Sequence, residues 1–109
     1  MDFSKLGGLV PAVVQDDRTG EVLMVGFMNQ EALDRTVELG YATFFSRTRS
    51  ALWTKGETSG NRLRVTRLLV DCDADTLLVK ATPEGSGRIC HTGERTCFFR
   101  DYTPGAGGA

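Results

Sequence analysis

Apolar, β-branched runs in this sequence stop after about half a dozen residues, each cut off by Gly, Asp, Asn or Pro. Only short strands fit between such breaks, and only one interval is framed as a helix. Residues 10–15 and 22–27 are two of these runs. Asp16, Asp17 and Gly20 between them suit a turn, so the pair reads as a hairpin. Asn29 then supplies an N-cap, Leu33 and Val37 repeat at i and i+4, and Gly40 stands where helices stop. This predicts one substantial helix over residues 30–39. Residues 41–45 and 52–55 have strand character and pair across residues 46–50. Residues 56–61 form a polar loop whose framing glycines, Gly56 and Gly60, admit positive φ. Alternation at Leu63, Val65 and Arg67 leads through residues 68–70 into an acidic segment. Residues 76–81 are the next strand, 83–87 a turn, and 96–99 a last short strand. Several strands with a single helix make an α+β fold, mainly antiparallel β.

With 109 residues, 40% of them hydrophobic, the chain reads as one domain over residues 1–103 with a flexible Gly/Ala-rich tail over residues 104–109. A domain of this size buries roughly two-thirds of its unfolded surface, so a bound metal or a second subunit would help to stabilise it. The net charge of −1 offers no general attraction to nucleic acid. It is unevenly spread: residues 47–67 hold Arg47, Arg49, Lys55, Arg62, Arg64 and Arg67 against Glu57, a local +5 beside −6 elsewhere. Such a patch suits a phosphorylated small molecule; the plainer alternative is the solvated face of a strand pair. No apolar run is long enough for a signal peptide or a membrane span, which points to the cytoplasm. In that reducing compartment three cysteines read as metal-binding or catalytic before they read as disulfides.

All three thiols, Cys72, Cys90 and Cys97, and the sole imidazole, His91, fall within residues 72–97. Cys72 sits inside Asp71-Cys72-Asp73-Ala74-Asp75. If that segment is extended, its three carboxylates face one way and the thiol the other. Crowded carboxylates repel unless a cation neutralises them, and hard oxygen donors suit Mg²⁺ or Ca²⁺; a solvated acidic turn is the alternative. An EF-hand does not fit, because no Gly stands at loop position 6 and no Glu at position 12. Thiolates select zinc. The cysteine spacing is not that of a Cys-x-x-Cys knuckle and leaves two arrangements open, a closed Cys₃His site or three thiolates with one open position. His91 adjoins Cys90, so in extended backbone both side chains do not readily converge on one ion, which favours His91 as a proton carrier. Buried apolar cysteines and an ordinary hydrogen-bonded histidine are the alternative to both.

Five ordered motifs carry a resemblance to a known family. They are Met24-Val25-Gly26-Phe27-Met28-Asn29, Phe45-Ser46-Arg47-Thr48-Arg49, the stretch from Leu52-Trp53-Thr54-Lys55 to Ser59-Gly60-Asn61, the acidic segment, and Cys90-His91-Thr92-Gly93-Glu94-Arg95-Thr96-Cys97-Phe98. Together they resemble phosphoribosyl-AMP cyclohydrolases. The resemblance implies a zinc-dependent hydrolase at the third step of histidine biosynthesis. Such an enzyme opens the adenine ring of 1-(5-phosphoribosyl)-AMP at N1–C6, giving the phosphoribosyl-formimino imidazole carboxamide ribonucleotide. It further implies an intertwined homodimer with zinc ligands from both subunits, Zn²⁺ on Cys72, Cys90 and Cys97, and Mg²⁺ on Asp71, Asp73 and Asp75. His91 is then the acid/base, and Arg47, Arg49, Lys55, Glu57, Ser59 and Asn61 are candidates to bind the nucleotide. Neither nucleic acid nor membrane is expected as a partner. The rival from another class is a non-catalytic Cys₃His zinc-stabilised binding module contacting RNA. Against it, the aspartates beside Cys72 would repel a phosphate backbone, and no aromatic residues interleave with the basic ones. The His-x-Glu and Pro-Cys-x-x-Cys pattern of zinc deaminases is absent.

Overall fold

Alternating inward and outward side chains build the first hairpin in the computed structural model, which describes residues 1–105. Strand β1 (Val10–Asp16) buries Val10, Ala12, Val14 and Asp16 and pairs antiparallel with β2 (Val22–Met28). The Asp16 carboxylate closes the turn, Oδ1 accepting from the backbone amides of Arg18 at 2.8 Å and Thr19 at 3.4 Å.

Helix α1 (Gln30–Leu39) fills the predicted span. Asn29 Oδ1 accepts from the Ala32 amide at 2.8 Å, and Gly40 ends the helix at φ +79°. Its buried face is Ala32 and Thr36, however, and Val37 is 66% exposed. The Thr36 hydroxyl accounts for the difference. It lies 2.9 Å from the Ala32 carbonyl and 3.1 Å from the Thr43 carbonyl, and it accepts from the Thr43 amide at 3.0 Å. A small, hydrogen-bonded face thus lies against β3 (Thr43–Ser46), while of the two spaced aliphatics Leu33 packs partly buried against the core and Val37 does not.

β3 and β4 (Ala51–Thr54) form a separate antiparallel pair. From it Phe44 enters the core, with its ring centroid 5.1 Å from that of Trp53 and its Cδ1 2.5 Å from where a Cβ on Gly26 would stand.

β5 (Leu63–Val70) and β6 (Leu77–Pro83) pair antiparallel, and the main sheet runs β2-β1-β6-β5. Its central pair, β1 with β6, is parallel, so the sheet is mixed. Parallel neighbours need a long connection, and α1 with the β3–β4 pair lies in it. Residues 96–99 form no strand. They are pinned to β2 by the Thr96 hydroxyl on the Val22 carbonyl at 2.7 Å and by the Cys97 amide on the Leu23 carbonyl at 2.8 Å. The expected tail lies outside the described residues from residue 106 on; Pro104 and Gly105 form a turn. Among the described residues, no helix is long and apolar enough to cross a membrane.

The β1–β6 register decides what lies at each end of the sheet. Ala12 aligns with Leu77 and Asp16 with Ala81, so the segment between β5 and β6 sits at one end. The segment after β6 emerges at the other, beside the β1–β2 turn. Seven residues of strand separate these ends by about 20 Å.

Candidate functional site

Residues 71–75, at the first of these ends, are a tight turn, not an extended strand. Ala74 has φ +60°, and Asp71 Oδ1 accepts from the amides of Asp75 at 3.0 Å and Thr76 at 3.1 Å. Turning, not strand alternation, gathers the carboxylates of Asp71, Asp73 and Asp75, one oxygen of each lying within 4.8 Å of the others. The Lys5 ammonium answers their charge, 3.1 Å from Asp75 Oδ2 and 3.4 Å from Asp73 Oδ2. The neighbouring Asp75 and Asp71 hold the Asp73 carboxyl above the usual carboxylate range, whereas Lys5 holds that of Asp75 below it. Three hard oxygen donors that already attract a cation fit a divalent ion such as Mg²⁺. Cys72 is exposed on the same turn.

The second end carries the other two thiols on an irregular loop. Its shape is set by the Cys90 amide on the Glu94 carbonyl (3.0 Å), the Gly93 amide on the Cys90 carbonyl (2.9 Å) and Arg88 Nη1 on the Gly93 carbonyl (2.9 Å). Cys90 is buried, and the Thr92 hydroxyl donates to its Sγ at 3.0 Å, which draws its thiol pKa down. Local desolvation and the adjacent Cys90 push the Cys97 thiol up. The Lys55 ammonium is near enough to favour the thiolate of both. Two adjacent soft donors beside a cation suit a thiophilic metal. His91 lies exposed on the rim of a cleft lined by Cys90, Thr92, Cys97, Phe99 and Arg100.

The remaining sequence-derived candidates lie mostly on and after β3–β4. Arg47 stacks its guanidinium 4.2 Å above the Phe27 ring. Arg49, Glu57 and Ser59 line a cleft with Trp53 and Gly56. The Asn61 amide is engaged within the protein, Oδ1 accepting from the Ser86 amide at 2.9 Å and Nδ2 donating to the Arg88 carbonyl at 3.2 Å. Gly56 has φ +77°, and a Cβ on it would stand 2.2 Å from the Asn61 carbonyl carbon, so only glycine fits there. The structure therefore brings Cys90, Cys97, His91 and Lys55 together and leaves Cys72 with the aspartates at the far end of the sheet.

Sequence reasoning missed the residues that anchor the thiol loop. Arg95 donates from Nη2 to Asp16 Oδ2 at 2.5 Å and from Nε to Glu21 Oε1 at 2.6 Å. A signal was present, because the alternation Val10, Ala12, Val14 continues inward to Asp16, and a core-facing charge demands a partner.

Comparison with known proteins places these features in one family. The sequence profile described as phosphoribosyl-AMP cyclohydrolase matches residues 24–99, more than half of the chain. A bifunctional histidine biosynthesis protein, HisIE, of Bacteroides thetaiotaomicron is 59% identical over 98 residues, covering 90% of this chain and 47% of that protein. The chain thus spans about half the length of this relative. Phosphoribosyl-AMP cyclohydrolases of Solibacter usitatus and Citrifermentans bemidjiense are 55% and 53% identical, covering 96% and 97% of this chain and 82% and 84% of their own lengths.

Proposed function

This chain belongs to the phosphoribosyl-AMP cyclohydrolase family, and from that premise we propose that it is a zinc-dependent cytoplasmic hydrolase of histidine biosynthesis, opening the adenine ring of 1-(5-phosphoribosyl)-AMP at N1–C6. The observation that carries the reading is the convergence of Cys90, Cys97 and His91 at one cleft inside the matched span, with the Lys55 charge near both thiols.

In this reading Cys90 and Cys97 hold Zn²⁺ together with the partner subunit's Cys72. The sharing is supported by the sheet length of about 20 Å that keeps Cys72 from the other thiols of its own chain. A homodimer is supported by the sheet's open face. There Val25, Val13, Leu78 and Leu69 line up in register across all four strands, with Val25 44% exposed. Bound to these thiolates, zinc supplies a nucleophile at neutral pH by lowering the pKa of water. The protein's own part is to position the purine and move protons. His91, on the cleft rim, delivers a proton to N1 as the C6–N1 bond breaks, leaving the carboxamide on the imidazole. Arg47, Arg49 and Lys55 meet the two phosphate groups, with Glu57 and Ser59 as polar contacts of the glycine-framed loop and Asn61, engaged with Ser86 and Arg88, holding that loop in shape. Asp71, Asp73 and Asp75 hold Mg²⁺.

The test couples composition to turnover: zinc is counted in the purified protein, and phosphoribosyl-AMP consumption is followed by ultraviolet absorbance with and without chelator. Turnover that chelation abolishes is the expected result. A zinc-loaded, magnesium-supplied protein that leaves the substrate untouched sinks the proposal.

A further inference from the structure

The thiol loop owes little to regular secondary structure: its start is held by Ile89, buried in the core, and by Asn61 Nδ2 on the Arg88 carbonyl, whereas from Arg95 on it is attached to the β1–β2 hairpin. Three contacts make the attachment: the Cys97 amide on the Leu23 carbonyl, the Thr96 hydroxyl on the Val22 carbonyl, and the Arg95 guanidinium on two carboxylates. The first two grip only the C-terminal end of the loop. Arg95 is the charged side chain between Cys90 and Cys97 that ties the loop to the β1–β2 hairpin, and its fork spans Asp16 Oδ2 and Glu21 Oε1 at 2.5 and 2.6 Å.

Asp16 is the unusual partner. It is a carboxylate with 0% exposure, placed by strand alternation on the core face of β1. Such a group is retained only when its oxygens are satisfied. Oδ1 is occupied by the hairpin turn amides of Arg18 and Thr19, and Oδ2 by Arg95. One buried side chain therefore fixes the hairpin tip and the thiol loop to each other.

We propose that Asp16, acting through Arg95 and assisted by Glu21, is a positioning residue for the metal-binding thiol pair Cys90 and Cys97. It would hold the two sulfurs at the spacing that a tetrahedral ion requires. This rests on the reading that these cysteines ligate zinc. Groups that orient metal ligands from outside typically change metal affinity by about tenfold to a hundredfold when altered.

The experiment compares wild type, Asp16→Asn and Arg95→Lys as full-length chains. Asp16→Asn keeps the turn acceptor on Oδ1 but presents an amide to the guanidinium. Arg95→Lys keeps a cation beside Asp16, so the fold is preserved, but cannot fork onto Glu21. Folding is checked by circular dichroism and melting, zinc affinity by competition with a chelator, and thiolate geometry by the absorption bands of the Co²⁺-loaded protein. The expected result is zinc affinity weakened about tenfold or more in Asp16→Asn, less in Arg95→Lys, with shifted cobalt bands in both. A merely structural role would lower the melting temperature and leave the cobalt spectrum alone. Zinc affinity and cobalt bands equal to wild type in folded Asp16→Asn overturn the proposal; if that variant does not fold, the same result in Arg95→Lys does so. A wild-type chain that takes up neither metal sinks the zinc reading itself, and this inference with it.

Discussion

His91 is exposed and adjoins the buried Cys90, so the two side chains occupy different environments one peptide apart. Their separation makes the role of His91 testable against a fourth-ligand role. His91→Ala is expected to keep its zinc and to lose turnover by about 10² to 10⁴-fold, read as metal content beside kcat. A chain that loses zinc instead would favour the closed Cys₃His module. Asp16 gives a second prediction at this scale. Burial works to raise its pKa, but the amides of Arg18 and Thr19 and the Arg95 guanidinium outweigh that and leave it below the usual carboxylate range. In acid, then, the unfolded chain takes up the proton first. The stabilisation is fully present above the unfolded pKa of about 4 and is lost as pH falls through the folded value. Melting temperature measured from pH 6 down to pH 2 should fall more steeply in wild type than in Asp16→Asn. Parallel curves would show that Asp16 does not control the acid limb. Residue types made the thiols, the imidazole and the aspartates legible in the sequence. Arg95 stands in the Cys90–Cys97 motif with no local sign of its role, because its partners Asp16 and Glu21 lie more than seventy residues away.

Elements were legible where a local signal sets them. Asn29 and Gly40 bound α1, and the β1–β2 hairpin follows its turn residues. What local signals do not carry is which partner an element meets. Residues 96–99 look like a strand, yet tertiary anchoring by Thr96 and Cys97 holds them without a ladder. The parallel β1–β6 pair joins strands sixty residues apart. The Leu33 and Val37 spacing marked a helix but not the face that Thr36 buries. Two glycines separate the demands of packing from those of backbone conformation. Gly26→Ala places a Cβ 2.5 Å from Phe44 Cδ1 at an ordinary φ, so its effect is steric, and about 1–3 kcal/mol of stability should be lost in urea unfolding. Gly56→Ala must strain φ +77° and displace the Asn61 backbone, which disturbs the loop proposed to meet the substrate. That variant should raise KM well beyond what its stability loss explains. An unchanged KM would remove the loop from the binding site.

At the scale of the whole molecule, sheet topology divides the proposed site. The acidic turn with Cys72 leads into one end of β6 and the loop with Cys90 and Cys97 follows the other, the strand ends being about 20 Å apart, and no hinge in a hydrogen-bonded four-stranded sheet folds one onto the other. If three thiolates hold one zinc, the third must come from a second copy, and two-fold symmetry then gives each dimer two such sites. Cys72→Ser and Cys97→Ser chains would each be inactive alone, since every site in either homodimer lacks one thiol. In a mixed dimer, one site pairs two damaged halves and the other is intact. Unfolding and refolding equal amounts together randomises the pairing, so about a quarter of wild-type activity and zinc should return. The mixed dimers, tagged differently on each chain, can be isolated to confirm that the recovery resides in them. If each chain built its own site, no mixture would recover anything, whatever the extent of exchange. Isolated mixed dimers without activity or bound zinc therefore refute the shared site, because this sheet leaves no other route by which Cys72 can reach the thiol loop.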